Sequence, residues 1–266
     1  MFVNIAAYHF TPVDDPAVLA ARLRDFAESG ELRGTVLVAG EGVNLFLAGT
    51  AKAIEGFLDA LREDVRFADV VVKYSHSRTQ PFSRLKVKLK REIIAFRRED
   101  ASPLVGRAPT VAPADLARWL ERGHDDDGRR VVMLDTRNRE EVGHGTFANA
   151  LTLPIDNFTD LPDALEPHRE ALADATVVSF CTGGIRCEKA ALWMHATGMD
   201  NVLQLDGGIL GYFEQVGGAH YDGRCFVFDE RVALDPGLAP LVDAGDVDDD
   251  MEDAAREASG TGRQAA

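Results

Sequence analysis

The sequence predicts two α/β units in tandem: a small α+β domain, then a doubly wound sheet of mainly parallel strands. Three observations carry this. Residues 2–74 alternate in the order β-α-β-β-α-β, the split βαβ arrangement. From residue 130 the rhythm becomes strand, helix, strand, helix, which gives an open sheet covered on both faces. Between them, residues 101–113 hold three prolines and a glycine, so a linker is placed at 101–112.

In the first unit, residues 2–10 read as a strand with Val3, Ile5 and Ala7 on one face. Asp14 and Asp15 offer an N-cap, Pro16 suits a first helical turn, and Gly30 ends the helix. Two short apolar strands, 34–39 and 43–48, flank the turn Gly40-Glu41-Gly42. Ile54, Phe57, Leu58 and Leu61 share one face of a second helix. A fourth strand is expected at 70–74. The whole is a ferredoxin-like unit spanning 1–100, closed by a connecting strand. There Leu85, Val87 and Leu89 alternate with Arg84, Lys86, Lys88 and Lys90.

In the second unit, 113–232, strands are expected at 131–135, 150–153, 177–180 and 202–205, with helices between. A last apolar run, 224–229, reads as a further strand. Reactive groups of such sheets gather at the carboxyl ends of strands, where Asp135 and Cys181 both stand. Residues 233–266 are acidic and are expected to be a disordered tail.

The chain has 266 residues and a net charge of −15. Its charge is uneven. Lys73, Arg78, Arg84, Lys86, Lys88 and Lys90 fall in a stretch with one acid, Glu92, interleaved with Tyr74, Phe82 and Phe96. A local basic stripe of this kind binds phosphate despite an acidic total. The competing reading is an edge strand whose lysines deter aggregation. Three cysteines without C-x2-C pairing, and histidines without ligand spacing, point to no metal site and to a reducing compartment. No apolar run reaches bilayer length and no signal pattern opens the chain. A cytoplasmic protein is expected, with no membrane and no evident protein partner.

Val177-Val178-Ser179-Phe180-Cys181-Thr182-Gly183-Gly184-Ile185-Arg186-Cys187 is the most informative stretch. A thiol stands where a buried strand ends and a helix begins. Gly183 and Gly184 let backbone N–H groups curl around it. Those groups, the helix start and Arg186 all lower a thiol pKa. A merely structural cysteine needs none of these neighbours.

This loop resembles the active-site loop of the rhodanese superfamily. Asp135-Thr136-Arg137 after a strand, and Leu205-Asp206-Gly207-Gly208-Ile209 later, resemble two further elements of that fold in the right order. Phosphatases of the same architecture use Cys-x5-Arg. Here the sixth residue after Cys181 is Cys187 and the arginine comes one position early, so phosphate-ester chemistry is disfavoured.

The first half carries a second resemblance. Arg33 to Asn44, Pro81 to Lys88, the Cys181 loop and Gly223-Arg224-Cys225-Phe226-Val227-Phe228-Asp229-Glu230-Arg231 are similar to the rhodanese-related tRNA uridine hydroxylases. Two departures are visible. Leu45-Phe46 follows Asn44 where small residues are usual, and an acidic tail stands in place of a cysteine-rich extension. The resemblance implies oxygen-dependent hydroxylation of carbon 5 of the wobble uridine to 5-hydroxyuridine. It implies a tRNA anticodon loop as partner, molecular oxygen as co-substrate, no identified cofactor, and Cys181 as the loop cysteine.

On this reading Cys181 and Arg186 are the catalytic candidates. Thr182, Gly183, Gly184, Cys187, Asp135 and Arg137 support the loop, and the six basic residues bind RNA. A Cys181 persulfide for sulfur transfer, or a non-catalytic RNA-binding module, are the alternatives. Cys187 is read as core packing before a resolving thiol, Cys225 as core, and Glu41 and Asn44 as either turn residues or RNA contacts.

Overall fold

The computed structural model describes residues 1–242. The first unit runs β1 (Phe2–Phe10), α1 (Pro16–Ser29), β2 (Arg33–Ala39), β3 (Gly42–Gly49), α2 (Ala51–Arg62), β4 (Val72–Ser77) and β5 (Leu85–Leu89). The strand order is β4-β1-β3-β2-β5. The first four strands have the antiparallel ferredoxin-like arrangement, and β5 joins β2 in parallel. Ile5, Ala7, Val36, Val38, Leu45, Leu47 and Val87 alternate onto one face and pack under α1 and α2. The other face carries no helix of its own domain and turns toward the second unit.

The second unit runs β6 (Thr110–Val111), α3 (Pro113–Arg122), β7 (Val131–Asp135), α4 (Arg139–His144), β8 (Gly145–Phe147), β9 (Leu151–Thr152), α5 (Leu161–Leu165), α6 (Arg169–Leu172), β10 (Thr176–Phe180), α7 (Ile185–Ala196), β11 (Val202–Leu205) and α8 (Gly208–Val216). Its sheet has the order β6-β11-β10-β7-β9, parallel throughout. Three short strands close the described chain: β12 (Tyr221–Gly223), β13 (Cys225–Phe226) and β14 (Ala233–Leu234).

Several expectations change. Asp15 precedes α1 without capping it by its side chain, because its carboxylate is taken by Arg66 at 2.5 Å. The fourth strand starts two residues late, since Val70 packs into the core ahead of it. Residues 101–112 include β6, and Ala101 and Ala108 are buried in the second core. The segment is a packed strap rather than a free tether. Phe96 does not face RNA: it stacks on Phe158 at 4.5 Å between centroids. The run 224–229 splits, and only Cys225–Phe226 is strand. Ala233 and Leu234, expected to lie in the tail, are instead buried and pair with β13. The acidic run from residue 243 lies outside the described residues.

Candidate active site

β10 is the central strand of the second sheet and all five of its residues are buried. Its last carbonyl, on Phe180, accepts from both the backbone N–H (3.0 Å) and the hydroxyl (2.9 Å) of Thr136. That clamp fixes where the chain leaves the sheet. Cys181 follows, and Gly184 caps α7 at φ 100°, a left-handed turn that favours glycine. The Gly184 N–H donates to the Cys181 sulfur at 3.1 Å. The start of α8 docks on the same loop: Ile209 and Leu210 N–H groups donate to the carbonyls of Cys181 (2.9 Å) and Thr182 (3.0 Å). Gly208 sits at φ +63°, and a Cβ there would lie 2.6 Å from the Cys181 carbonyl oxygen. The late Gly-Gly pair is thus a packing requirement of the cysteine loop.

Burial pushes the Cys181 thiol up in pKa. A hydrogen bond from Cys187, the Arg186 charge and the N–H groups of Arg186 and Gly184 outweigh it, and the thiol falls to about 5. These groups favour the thiolate over the thiol. Cys187 moves the opposite way, raised by burial and by its bond to Cys181, and lies 3.7 Å from the Thr136 hydroxyl. Cys225 is pushed up to about 12 by burial, consistent with a core residue.

Arg186 does not stand free for a phosphate or an oxyanion. Its two terminal nitrogens are bound to Glu141 at 2.6 Å each, inside the protein. Burial alone would raise the Glu141 carboxyl, but the Arg186 charge holds it below its ordinary value. Glu141 also closes a capping box with Asn138 and lies 3.4 Å from the Thr182 hydroxyl. Asp135 and Arg137 form a fully buried pair at 2.6 Å, extended to the Gly145 carbonyl and the Thr146 hydroxyl. They brace the β7 exit.

The first domain completes the site. Tyr8, from β1, brings its hydroxyl against Gly184, where an added Cβ would lie 2.9 Å away. The same hydroxyl donates to Glu188 at 3.3 Å, and burial followed by the Glu188 charge raises its pKa. Glu188 also pairs with Arg107. The next residue, Lys189, is buried and ion-paired to Glu41 (2.9 Å) and Glu92 (2.7 Å). Asn44 donates to the Ile93 carbonyl at 3.2 Å. Glu41 therefore joins the domains, while Asn44 holds the segment after β5 within the first domain and lines the cavity beside the cysteine loop. Thr136, Glu141, Tyr8, Glu188 and Lys189 are not singled out by the sequence. The last two directly follow the cysteine loop, where a charged pair opening an otherwise apolar helix is the available signal.

A cavity of about 770 Å³ lies between the helix-free sheet face and the cysteine loop. Its walls include Tyr8, Phe46, Lys73, Arg107, Cys181 and Thr182. The Cys181 side of the wall is tight: the residue is 0% exposed. The six basic candidates divide. Lys73 lies on edge strand β4, paired to Glu214 at 3.4 Å, with Arg78 just beyond. Arg84, Lys86, Lys88 and Lys90 lie in or beside β5, at the opposite edge. Among the described residues no group of three or more His, Cys, Asp or Glu side chains is gathered as a possible metal site. No helix among them is long and apolar enough to cross a membrane.

Comparison with known proteins agrees with this architecture. The family model described as a UPF0176 acylphosphatase like domain matches residues 2–93, and the rhodanese-like domain model matches residues 113–215. A curated protein of Xanthomonas axonopodis pv. citri (strain 306) is 70% identical over 244 residues, covering 92% of this chain and 98% of its own. One from Xanthomonas campestris pv. campestris (strain 8004) is 69% identical over 243 residues, covering 91% and 96%. One from Xylella fastidiosa (strain 9a5c) is 62% identical over 243 residues, covering 91% and 95%. All three carry the name tRNA uridine(34) hydroxylase. With identity of this degree over nearly the whole of each relative, the chain belongs to the tRNA uridine(34) hydroxylase family.

Proposed function

We propose that this chain hydroxylates carbon 5 of uridine 34 in the anticodon loop of tRNA, with molecular oxygen as co-substrate and Cys181 as nucleophile. The observation that carries it is the thiol lowered to about 5 at the wall of a cavity of about 770 Å³, a volume suited to one nucleotide. The cytoplasm, where tRNA is modified, is the expected compartment.

Carbon 5 of uracil is a weak nucleophile. Addition of the Cys181 thiolate at carbon 6 breaks the C5–C6 π bond and moves its electron pair onto carbon 5 as an enolate. Carbon 5 then bonds to oxygen and, after one protonation, carries a hydroperoxide. A thiol donor reduces the O–O bond: one oxygen stays as hydroxyl, the other leaves as water, and two thiols become a disulfide. Loss of the carbon 5 proton expels Cys181 and restores the double bond. Uridine, oxygen and two thiols thus become 5-hydroxyuridine, disulfide and water. Arg186 acts in this scheme as the fixed counter-charge of the sulfur, since Glu141 occupies its outer edge. Because Cys181 is fully covered, the base reaches it only when the flanking side chains part.

The test is an assay of unmodified tRNA under air and under nitrogen, with wild type and Cys181→Ser. Gain of one oxygen on uridine 34, only in air and only with the thiol, is expected. Equal product from Cys181→Ser would remove the nucleophile from the scheme. A sulfur-mass gain on Cys181, reversed by mild thiol and without tRNA product, would move the chain to sulfur transfer.

A further inference from the structure

The geometry points to the helix-free face of the first sheet as the platform for the wobble nucleotide and its neighbours. The base stacks on Phe46, and adjoining phosphates lie on the edge formed by Arg84, Lys86 and Lys88. This rests on the tRNA substrate proposed above and says where and how it is held.

Strand register makes the platform. Lys73 pairs across to Ala6, Ala6 to Phe46, Phe46 to Thr35, and Thr35 to Lys86. Directly paired residues share a face, so these five form one transverse row. Their neighbours along each strand are the core residues under α1 and α2, so the row faces away from those helices. The next row runs Tyr8, Asn44, Leu37 and Lys88. Each row ends in a lysine on β5, and the first has a lysine at both ends, four strand spacings or roughly 19 Å apart.

The two halves of the face differ. Over β4, β1 and β3 it roofs the cavity that Cys181 also lines, and Lys73 is tied there to Glu214. Over β2 and β5 it lies outside that cavity. Thr35, Leu37 and Lys86 are half-buried there, while Lys88 and Arg84 are exposed. Among the described residues Arg84, Lys86 and Lys88 have no ionic partner. An open face with an aromatic inside and unpaired cations at its rim is the chemistry that binds single-stranded RNA. Lysines that only guard an edge need no aromatic behind them.

The arrangement also fits the reaction. A thiolate adds to uracil through a π face of the ring. A base stacked by one face on Phe46 leaves its other face to the loop wall, where Cys181 lies. Phe46 belongs to one domain and Cys181 to the other, so the substrate is sandwiched between domains.

The experiment uses the full chain and an anticodon stem-loop RNA carrying 5-iodouridine at position 34. Irradiation and peptide mapping are expected to place the crosslink in β3, at Phe46. Phe46→Ala should weaken stem-loop binding by about ten-fold, and Phe46→Trp should restore it. Thermal unfolding of both variants checks that the fold is intact. Lys86→Glu with Lys88→Glu should lower the slope of log affinity against log salt by about 0.7 for each phosphate that no longer meets a lysine. A crosslink outside the cavity walls, or equal affinity and KM for Phe46→Ala and wild type, overturns the platform while leaving hydroxylation intact. A crosslink at Phe46 in an enzyme that forms no hydroxylated product instead keeps the platform and removes the activity.

Discussion

Arg186 gives both terminal nitrogens of its guanidinium to Glu141, at 2.6 Å each. The pair is buried, and its cation lies against the Cys181 sulfur, whose charge helps keep the arginine protonated. The carboxylate aims the guanidinium and prevents it from swinging into the cavity. A cation of this kind serves one atom and is unavailable to substrate phosphates.

Arg186→Met strands Glu141 in the interior and should cost about 3–5 kcal/mol in urea unfolding. The double variant Arg186→Met with Glu141→Met should recover most of that loss. Neither should recover the reactive thiol: the pH midpoint of Cys181 alkylation should move upward in both. An unchanged midpoint would show that the backbone N–H groups suffice.

The thiol makes stability depend on pH in a defined direction. Cys181 falls from an ordinary 9.0 to about 5 in the fold. A group lowered on folding contributes stability that is complete above its unfolded value and disappears as pH falls through its folded one. Wild type should therefore gain stability over Cys181→Ser as pH rises from 5 to 9. The slope should approach about 1.4 kcal/mol per pH unit near the middle of that window. Cys187→Ala, which removes the thiol donor, should flatten the lower part of that curve. A flat difference between the two proteins would mean that Cys181 is not ionised.

Gly208→Ala sets a Cβ 2.6 Å from the Cys181 carbonyl oxygen at a left-handed backbone position. Strain of about 1–3 kcal/mol from the backbone alone is expected, with clash added. Calorimetry should show a clear loss of stability, and hydroxylation should disappear with it. Gly183→Ala is the control, since a Cβ there meets nothing within 4 Å. Its stability should stay within roughly 0.5 kcal/mol of wild type.

Lys189 holds the domains together through Glu41 and Glu92. Lys189→Met leaves two carboxylates facing a buried gap and should cost about 3–5 kcal/mol. Limited proteolysis should then open the strap between residue 91 and residue 109 faster than in wild type. Equal cleavage rates would assign domain contact to the apolar surface alone.

Much of this molecule is legible in its amino-acid order. Period-two alternation in residues 2–10 and 85–89 places two strands, and apolar spacing at Ile54, Phe57, Leu58 and Leu61 orients a helix, because burial on one face imposes a repeat. The cysteine loop declares itself, since cradle, glycines and helix start are all local. What periodicity reports is that a residue is covered; it is silent about which distant group covers it. Only the fold set the Tyr8 hydroxyl beside Gly184, tied Lys189 to Glu41, turned Arg186 onto Glu141, and divided one basic stretch between opposite edges of a sheet. Each depends on segments far apart in the chain meeting in space, fixed by strand order and by the packing of one domain on the other.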